Sequence, residues 1–421
     1  MFESEFRGFI LENVLETLRE RGFYKQCTDE EALGKLLASE TVTCYAGFDP
    51  TADSLHVGHL IPMMALAHLQ RAGHRAVALV GGGTAMVGDP SGKTEMRQLI
   101  SQQQIQSNIQ GVKVQIGKFL SLESDNGVLV DNADWLLSLN YIEFLRDIGR
   151  HFRVNEMIKA EGYRMRLERE EGLSFIEFNY QLLQAYDFLC LSRQFDCKLQ
   201  FGGDDQWGNI LAGVDLTRRV DGKLVFGLTF PLLTTAKGEK MGKTAGGAVW
   251  LDAEKTSPYD FYQYWINCDD RDVARFLAMF TFLPMDEVNK LGQLQDSDIR
   301  AAKEVLAFET TKLAHGDQEA DKARSASHAA FGGGGADFDS IPSTTIAKDR
   351  IDSGIPVVDI FVEVGLTTSK SASRRLIEGG GAYIGGQQVQ QIDATMESDA
   401  VEDGSILLRS GKKKYHRIIV E

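Results

Sequence analysis

The sequence predicts an α/β protein in which helices cover a parallel β-sheet, followed by an all-α segment and a small α+β terminal module. From about residue 40 to 250, short β-branched or apolar runs such as TVTCYAGF and AVALVGGG alternate with helical stretches, a pattern typical of βαβ units. Glycine concentrates at the ends of these runs, where a backbone without Cβ permits sharp turns. Ligands of such sheets bind at the carboxyl ends of the strands, so functional residues are expected there.

The elements on either side of the sheet follow from local patterns. The N-terminal run MFESEFRGFILENVLETLRERG predicts an amphipathic helix with Phe6, Ile10, Val14 and Leu18 inward. Near residue 257, Ser-Pro-Tyr-Asp gives an N-cap, a first-turn proline and an acidic third position, and helical periodicity continues to about Phe331. The run FGGGGADFDSIPSTT then predicts a linker. The predicted ranges are a helical segment (1–40), the sheet domain (41–250), an α-helical domain (251–331), a linker (332–350) and a terminal module (351–421).

Composition excludes several classes of protein. Charged and hydrophobic contents of 25% and 43% are those of a globular chain, and no run of about 18 apolar residues predicts a membrane helix. The five cysteines are odd in number and lack a CxxC pair, which argues against a disulfide framework or a cysteine zinc site and fits a reducing compartment. The acidic residues within the N-terminal run suit neither a secretory nor a mitochondrial signal, so we expect a cytoplasmic protein.

The net charge of −15, from 45 Lys and Arg against 60 Asp and Glu, argues against nucleic-acid binding at first sight. Net charge says nothing about distribution, however. Residues 404–420 carry five Lys or Arg and no acid, and a second basic stretch lies between residues 146 and 169. These stretches are either solvated surface or local binding sites for RNA.

A pair of histidines marks the first candidate site. His56 and His59 are three residues apart at the start of a predicted helix, behind Asp49-Pro50-Thr51. Two imidazoles beside the exposed amides of a helix start suit the developing negative charge of a phosphate. An isolated HxxH is more often a pair of surface histidines. Zinc is less favoured, because the spacing lacks the glutamate of HExxH and no third ligand is evident.

The run VGGGTAMVGDPSGKT invites a P-loop assignment, which we reject. GxxxxGK[ST] requires glycine at position 87, where the chain has Val87, and Gly88 is one residue too close to the lysine. What remains is a glycine-rich turn at a strand end, with Asp89 as a candidate partner for a cation.

Three further segments carry candidate polar groups, and two of them have two interpretations. Tyr180, Gln184 and Asp187 share one stripe of a helix, which is either a solvated face, the commoner case, or the wall of a polar pocket. In LQFGGDDQWGN, Gln200, Asp205 and Gln206 surround two glycines where backbone can approach a ribose or a carboxylate. Lysines on the glycine-hinged run TTAKGEKMGKTAGG form either a hairpin tip or a clamp on a triphosphate.

Taken in order, these motifs resemble one family. HVGH at the first helix and KMGKT about 180 residues later resemble the HIGH and KMSKS signatures of class I aminoacyl-tRNA synthetases. GFDPTADSLHVGH, VGDPSGKT, NYQLLQAYDF, LQFGGDDQWGN and KMGKTAGGAVWLD are similar to bacterial tyrosyl-tRNA synthetases, and SASRRLIEGGGAYIGG resembles their small RNA-binding module. The resemblance covers residues 25–421 and departs at Val57, Gly242 and Thr244. It implies a Rossmann-like catalytic domain.

The resemblance also implies residue roles for tyrosine–tRNA ligation. Charge on the triphosphate would be stabilised by Thr51, His56, His59, Lys240, Lys243 and Thr244. Tyrosine would be bound by Tyr45, Asp89, Tyr180, Gln184, Asp187 and Gln206. ATP would also meet Asp49, Gly58, Gly203, Asp205 and Lys243.

The expected partners are L-tyrosine, ATP and tyrosine tRNA. The resemblance implies that ATP is a substrate accompanied by Mg²⁺, with no protein metal ligand and no tightly bound cofactor. It also implies a homodimer that associates through an inserted region at about 130–170. An inactive paralogue acting as an RNA-binding or regulatory protein is the alternative. The candidate tRNA-binding residues are Arg218, Arg219, Arg374, Arg375, Lys412, Lys413 and Lys414.

Overall fold

The computed structural model describes residues 14–91, 100–168, 172–238, 241–244, 247–332, 342–401, 404–411 and 414–421. The chain forms two compact units. The first unit contains Met1–Gly242, Trp250–Asp252 and Asp269–Ile299, and the second contains Lys243–Val249, Ala253–Cys268 and Arg300–Glu421. Among the predicted inward residues of the N-terminal helix, Val14 and Leu18 are buried, and Phe6 and Ile10 lie outside the described residues.

A six-stranded sheet forms the centre of the first unit. Its strands in chain order are β1 (Gln26–Cys27), β2 (Thr43–Phe48), β3 (Arg75–Val80), β4 (Gly127–Asp131), β5 (Cys197–Gly203) and β6 (Phe226–Phe230). In space the order is β1-β6-β5-β2-β3-β4, and every neighbouring pair is parallel except β1 with β6. The predicted parallel sheet is therefore confirmed. β2 and β3 are buried along nearly their whole length, as expected for strands covered on both faces.

The first ten helices alternate with these strands. They are α1 (Val14–Glu20), α2 (Glu30–Ser39), α3 (Leu60–Arg71), α4 (Gln102–Ile116), α5 (Ala133–Leu136), α6 (Tyr141–Asp147), α7 (Val154–Met157), α8 (Glu161–Glu168), α9 (Phe175–Phe195) and α10 (Trp207–Asp221). Two short 3₁₀ turns, Val57–His59 and Asp204–Gln206, lead directly into α3 and α10. Both turns follow the carboxyl ends of sheet strands, where ligands are expected.

Helix α9 supplies most of the predicted polar stripe, and its ends follow from its sequence. Ser174 accepts the N–H of Glu177, and the Glu177 side chain accepts the N–H of Ser174, which is a capping box. The helix ends at Asp196 in the left-handed conformation, with φ of 49°. Its buried side packs against α10 and β5.

The region after residue 255 is helical, as its sequence predicts. Ser257 caps α11 (Pro258–Ile266) by accepting the N–H of Asp260. The following helices are α12 (Val273–Phe280), α13 (Met285–Gly292), α14 (Ile299–His315) and α15 (Asp317–Gly332). The boundary between the two units falls within this range, because α12 and α13 belong to the first unit and α11 and α15 to the second. The separate helical domain at 251–331 stays a prediction.

The second unit also contains a short hairpin and the α+β terminal module. The hairpin pairs β7 (Lys243–Thr244) with β8 (Gly247–Ala248). The module contains β9 (Ser343–Ile346), α16 (Lys348–Asp352), β10 (Ile355–Pro356), α17 (Val357–Glu363), α18 (Lys370–Glu378), β11 (Ala382–Ile384), β12 (Gln387–Gln388), β13 (Thr395–Met396), β14 (Ser405–Ser410) and β15 (Lys414–Val420). Five of these strands form a sheet in the order β12-β11-β14-β15-β9. Its core includes Ile360, Phe361, Ile377, Ile406 and Ile418.

None of the helices in the described ranges is long and apolar enough to cross a membrane.

Candidate active site

The predicted site residues of the first unit follow the carboxyl ends of the parallel strands. Asp49 comes directly after β2, Asp89 follows the glycine-rich segment after β3, and Asp205 lies in the turn after β5. Neighbouring parallel strands end at the same edge of a sheet, so these turns meet there. Helix α9 adds the polar stripe.

One end of the site is built around two buried polar side chains. Tyr45 on β2 is 1% exposed and Asp187 on α9 is 2% exposed. The Tyr45 hydroxyl has no hydrogen-bond partner among the described residues, and the Tyr45 ring meets Phe188 edge-on at 5.3 Å between centroids. Burial, with a further contribution from Asp187, raises the pKa of Tyr45 well above its usual value. A buried hydroxyl without a partner is unfavourable, and a polar ligand would relieve that cost.

Asp187 is held by donors that the sequence analysis missed. The indole Nε1 of Trp135 donates to Asp187 Oδ1 at 2.8 Å, and Nδ2 of Asn132 donates to Oδ2 at 3.0 Å. Burial raises the pKa of Asp187 to about 7; the two donors oppose the rise, and the carboxylates of Asp49 and Asp131 add to it. The solvated interpretation of the α9 stripe is wrong at this position.

A signal for these donors was present in the sequence. Asp131 and Asn132 directly follow the apolar run of β4, at the same sheet edge as the other candidates. Polar residues at that position of a parallel strand point to a ligand site. Only the fold, however, shows that Asn132 and Trp135 reach α9.

Hydrogen bonds connect this end of the site to the residues after β2. Asn132 donates to the hydroxyl of Thr84 at 3.0 Å, and that hydroxyl donates to Asp49 Oδ1 at 3.0 Å. The second Asp49 oxygen, Oδ2, accepts the hydroxyl of Tyr180 at 3.3 Å. Asp187 and Tyr180 therefore lie at two ends of one polar network, with Asn132, Thr84 and Asp49 between them. Such networks fix the orientation of their members.

The remaining tyrosine-site candidates form a second polar cluster. Gln206 Nε2 donates to Asp89 Oδ2 at 2.8 Å, and the N–H of Ser91 donates to Asp89 Oδ1 at 2.8 Å. Asn209 donates to Gln184 Oε1 at 3.0 Å and to Gln206 Oε1 at 3.2 Å. The structure thus brings Asp89, Gln184 and Gln206 together, through an asparagine that the sequence analysis did not select.

The two histidines form a compact turn. The N–H of His56 donates to His59 Nδ1 at 3.1 Å, and the N–H of Gly58 donates to His56 Nδ1 at 3.0 Å. A ring nitrogen that accepts a hydrogen bond carries no proton, so this pattern assigns the proton of each neutral imidazole to Nε2. The ring centroids are 4.1 Å apart. The turn therefore holds two N–H donors side by side, an arrangement suited to phosphate oxygens.

Close backbone packing requires glycine beside these rings. A Cβ on Gly58 would lie 2.8 Å from Cε1 of His56, and a Cβ on Gly242 would lie 2.9 Å from the Gly58 nitrogen. Gly242 also has a φ of +80°, which favours glycine. The departure of Gly242 from the serine of the generic signature thus has a physical reason. The neighbouring Met241 is buried, and its N–H donates to the Leu233 carbonyl at 3.1 Å.

The other nucleotide-site candidates are placed as follows. Thr51 is exposed after β2, and its N–H donates to the Asp49 carbonyl at 2.8 Å. Gly203 ends β5, and a Cβ there would lie 2.6 Å from Oδ1 of Asp205. Lys243 and Thr244 form β7 in the second unit, and Lys240 lies outside the described residues.

The candidate tRNA contacts are spread over both units. Arg218 and Arg219 each pair with Asp215 on α10 at 2.6 Å. Arg166, counted in the basic stretch of 146–169, is instead buried in an ion pair with Glu177 at 2.6 Å and cannot belong to a basic surface. In the second unit, the exposed candidates are Arg374 and Arg375 on α18 and Lys414 on β15. Lys412 and Lys413 lie outside the described residues.

A cavity of about 930 Å³ adjoins the second polar cluster in the first unit. Its wall includes Ser91, Asp205 and Asn209. Apolar and aromatic side chains also line it, among them Phe152, Met157, Tyr163, Trp207 and Leu211. A volume of this size is at the upper end of ordinary ligand pockets, but its lining includes neither Tyr45 and Asp187 nor the histidine turn.

Comparison with known proteins identifies the family of the chain. Residues 37–332 match the family model of class I tRNA synthetases for tryptophan and tyrosine, and residues 335–418 match the C-terminal domain of SYY-like tyrosine–tRNA ligases. The tyrosine–tRNA ligase of Desulfosudis oleivorans is 55% identical over 97% of this chain and 99% of its own, and that of Clostridium tetani is 53% identical with the same coverage.

A solved structure shows the same fold. The C-terminally truncated mitochondrial tyrosyl-tRNA synthetase of Aspergillus nidulans superposes with a TM-score of 0.66 at 33% identity, covering 74% of this chain and 92% of that one. The chain belongs to the tyrosine–tRNA ligases, a family of class I aminoacyl-tRNA synthetases.

Proposed function

We propose that the site at the carboxyl ends of the strands joins the carboxylate of L-tyrosine to ATP and then transfers tyrosine to its tRNA. The observation that carries this proposal is the pair of Tyr45 and Asp187, a buried hydroxyl without a partner and a buried carboxyl at one end of the site. A phenol hydroxyl can donate to Asp187 and accept from Tyr45. A phenylalanine side chain would leave both groups unpaired.

The remaining contacts orient the amino acid. The α-ammonium would meet the carboxylate of Asp89 together with Tyr180 and Gln184, because these groups supply negative charge and acceptor oxygens. The α-carboxylate would lie against the amide of Gln206. With the phenol at Asp187, the reacting carboxylate then points toward the turn after β5, where Asp205 and Gly203 would approach a ribose.

Activation needs no nucleophile from the enzyme. A carboxylate oxygen of tyrosine attacks the α-phosphorus of ATP, the bond from phosphorus to the bridging oxygen breaks, and pyrophosphate leaves. In the second step a ribose hydroxyl of the terminal tRNA nucleotide attacks the tyrosyl carbonyl, and AMP leaves. Both steps depend on positioning and on stabilising negative charge.

The charge on the phosphates would be stabilised by donors from two segments. The Nε2–H groups of His56 and His59 and the hydroxyl of Thr51 would face phosphate oxygens. Gly58 lies in the same turn, and Asp49 would lie near the amino-acid or ribose end of the adenylate. Lysines of the second segment would act as point charges from the signature loop, defined here as residues 231–244. Mg²⁺ would enter with ATP as part of the substrate, and we assign it no protein ligand. The members of the signature loop assigned to the phosphates are Lys240, Lys243 and Thr244.

The decisive experiment is tyrosine-dependent exchange of labelled pyrophosphate into ATP. We expect exchange with tyrosine and none with phenylalanine or tryptophan. Exchange with tryptophan alone would contradict the substrate, and loss of all exchange with retained RNA binding would favour the inactive paralogue. Replacing Lys243 by alanine should lower the exchange rate far more than tyrosine affinity; equal losses would argue against a phosphate contact.

For tRNA we propose two basic surfaces. Arg218 and Arg219, in the last turn of α10, would meet the acceptor end; the same helix begins at the turn that carries Asp205 and Gln206. The terminal module would bind a separate part of the tRNA through its exposed cations. These are Arg374, Arg375, Lys412, Lys413 and Lys414.

We further propose a cytoplasmic homodimer. Exposed apolar side chains cluster in the predicted interface region at about 130–170 and continue just beyond it. Ile142 is 69% exposed, Val154 62% and Phe175 69%. Several large apolar side chains exposed in one stretch of the chain indicate a surface that associates with another subunit. Ile142→Asp should shift the sedimentation coefficient from dimer to monomer, and an unchanged dimer would place the interface elsewhere.

A further inference from the structure

The stem of the signature loop, residues 234–236, is held by two side chains at the start of α12. The N–H of Ala236 donates to Oδ2 of Asp272 at 2.8 Å. The guanidinium of Arg275 donates to the Thr234 carbonyl at 2.7 Å and to Oδ1 of Asp272 at 2.5 Å. Two backbone groups of the loop are thus held by one ion pair, and the contacts close into a ring. All four residues belong to the first unit.

An ordinary helix cap does not explain Asp272. Aspartate at the N-cap position usually accepts an N–H of its own helix. Asp272 occupies the N-cap of α12, but its side chain makes no such bond. Its side chain is only 3% exposed, and a buried carboxylate is unfavourable unless it is paired and hydrogen-bonded. Its carboxylate accepts hydrogen bonds from Arg275 and from the loop residue Ala236, so it connects the start of α12 to the loop.

Helix α12 is itself held in place by packing and hydrogen bonds, so it can fix the position of the loop. Its buried side chains include Phe276 and Leu277. The guanidinium of the buried Arg21 donates from one nitrogen to the carbonyls of Ala278 and Thr281, each at 3.0 Å. The carbonyls that end a helix have no partner within it, so these bonds fix the end of α12.

The same helix also supports the histidine turn. Beyond α12, Phe282 meets the ring of His68 on α3 at 5.0 Å between centroids. Helix α3 begins at Leu60, directly after His59. The stem of the signature loop and the histidine turn are therefore both fixed to the packed pair of α3 and α12.

We propose that Asp272 and Arg275 are positioning residues that set the signature loop for the activation step. The inference rests on the proposed function, in which Lys240 and Lys243, just after the held stem, act on the phosphates of ATP. Asp272 and Arg275 act through the loop backbone. A displacement of about 1 Å in a group that contacts the transition state costs roughly 10²-fold in rate.

The test compares Arg275→Gln and Asp272→Asn with the wild-type enzyme in pyrophosphate exchange. We expect kcat to fall roughly 10- to 100-fold, while the KM for tyrosine stays within about twofold. Arg275→Lys should recover part of the loss, because one nitrogen of Arg275 makes both bonds and an ammonium group, although differently placed, can also donate to two acceptors. The double variant should lose little more than the worse single variant, since both residues act through one ring.

Arg271→Gln is the matched control. Arg271 lies in the 3₁₀ turn Asp270–Asp272 directly before α12 and pairs with Asp269 at 2.8 Å, and its side chain is 67% exposed. We expect its exchange kinetics to equal those of the wild type. Arg275→Gln is the milder test variant because that side chain is 43% exposed, so it remains informative if Asp272→Asn fails to fold.

Limited trypsin digestion supplies a readout independent of activity. Loss of the contact from Arg275 to the stem should raise the rate of cleavage after Lys237 roughly fivefold in Arg275→Gln relative to Arg271→Gln. The midpoint of thermal unfolding should be unchanged. Equal kcat in wild type and both test variants, or a parallel loss of tyrosine binding, would overturn the inference. A wild-type enzyme without exchange would instead refute the proposed function, and the digestion would still test whether Asp272 and Arg275 hold the stem of the loop.

Discussion

The phenol end of the tyrosine site and the cationic surface of the terminal module use charge in opposite ways. Asp187 is buried and receives two hydrogen bonds, whereas Arg374 and Arg375 lie exposed on α18. A buried charge acts in a low dielectric and is barely screened by salt, while exposed charges are screened over about 8 Å at physiological ionic strength. In the proposed function the first region selects the amino acid and the second gathers the tRNA.

This difference explains why the net charge is a poor guide to partners. The chain carries −15 overall, yet the groups that we propose to select ligands are either buried or clustered. Changes at the phenol end should therefore be large and independent of salt. Changes on the terminal module should be small and strongly dependent on it.

The largest effect is expected from Asp187→Asn. The amide keeps the size of the side chain but removes the charged acceptor of the phenol proton, and a buried hydrogen bond to a charge contributes up to about 3 kcal/mol. We expect kcat/KM for tyrosine to fall roughly 10²-fold in pyrophosphate exchange, with little change when NaCl is varied. Asp286→Asn on the exposed surface of α13 is the control. A loss smaller than threefold would remove Asp187 from the site.

The next effect concerns the histidine turn, where two substitutions separate two roles. Asparagine can replace the Nδ1 acceptor of His59 but not its Nε2 donor, whereas glutamine approximates the Nε2 position. His59→Asn should therefore keep the turn and lower the exchange kcat roughly 10²-fold, the usual cost of one oxyanion donor. His59→Gln should keep more activity and lose thermal stability. The reverse order would make His59 a structural residue.

The raised pKa of Asp187 predicts a smaller, pH-dependent effect. In the proposed function the phenol donates to the ionised carboxylate of Asp187, and burial raises the pKa of Asp187 to about 7. Lowering the pH from 8 to 6 protonates Asp187 and should raise the KM for tyrosine roughly tenfold. Asp187→Asn should show a flat profile over this range. A wild-type KM independent of pH would mean that Asp187 is already neutral or fully ionised throughout.

Stability measurements check the sign of the same shift. A carboxyl whose folded pKa lies above its unfolded value contributes stability that is fully present at low pH and lost as the pH rises through the folded pKa. Relative to Asp187→Asn, the ligand-free wild type should lose on the order of 2 kcal/mol of unfolding free energy between pH 5 and 8. Denaturant titrations at the two pH values measure the difference.

The sequence predicted the features that depend on local pattern. The alternation of apolar runs and helices gave the parallel sheet, and the Ser-Pro-Tyr-Asp run gave the start of α11 at Pro258. The position of His56 and His59 at a helix start is also local, because the turn Val57–His59 leads straight into α3.

The features it missed depend on contacts between distant segments. Trp135 reaches Asp187 across 52 residues, and Ala236 reaches Asp272 across 36. Arg166 looked like part of a basic surface, yet it pairs inside the protein with Glu177. Periodicity reports which residues share a face, but burial of that face depends on what packs against it, and for α9 that is α10 and β5.

The smallest effect is expected on the terminal module. Arg374 and Arg375 are exposed on α18, so their contacts with phosphates would be screened and individually weak. Arg374→Gln combined with Arg375→Gln should weaken tRNA binding only a few fold at 150 mM salt. It should also lower the slope of log K against log salt by roughly one to two, because one to two fewer counterions are released. Tyrosine-dependent exchange should be unchanged.

The salt slope is the decisive quantity in that experiment. If the double variant binds tRNA more weakly with the same slope, the loss comes from a changed shape of the binding surface and not from missing contacts to phosphates. That result would point to damage of the module's packed core around Phe361 and Ile377. Arg350→Gln provides the matched control, because Arg350 is an exposed cation of the same module that is already paired with Glu363. If Arg350→Gln changed the slope as much as the α18 variants, the tRNA surface would extend beyond α18.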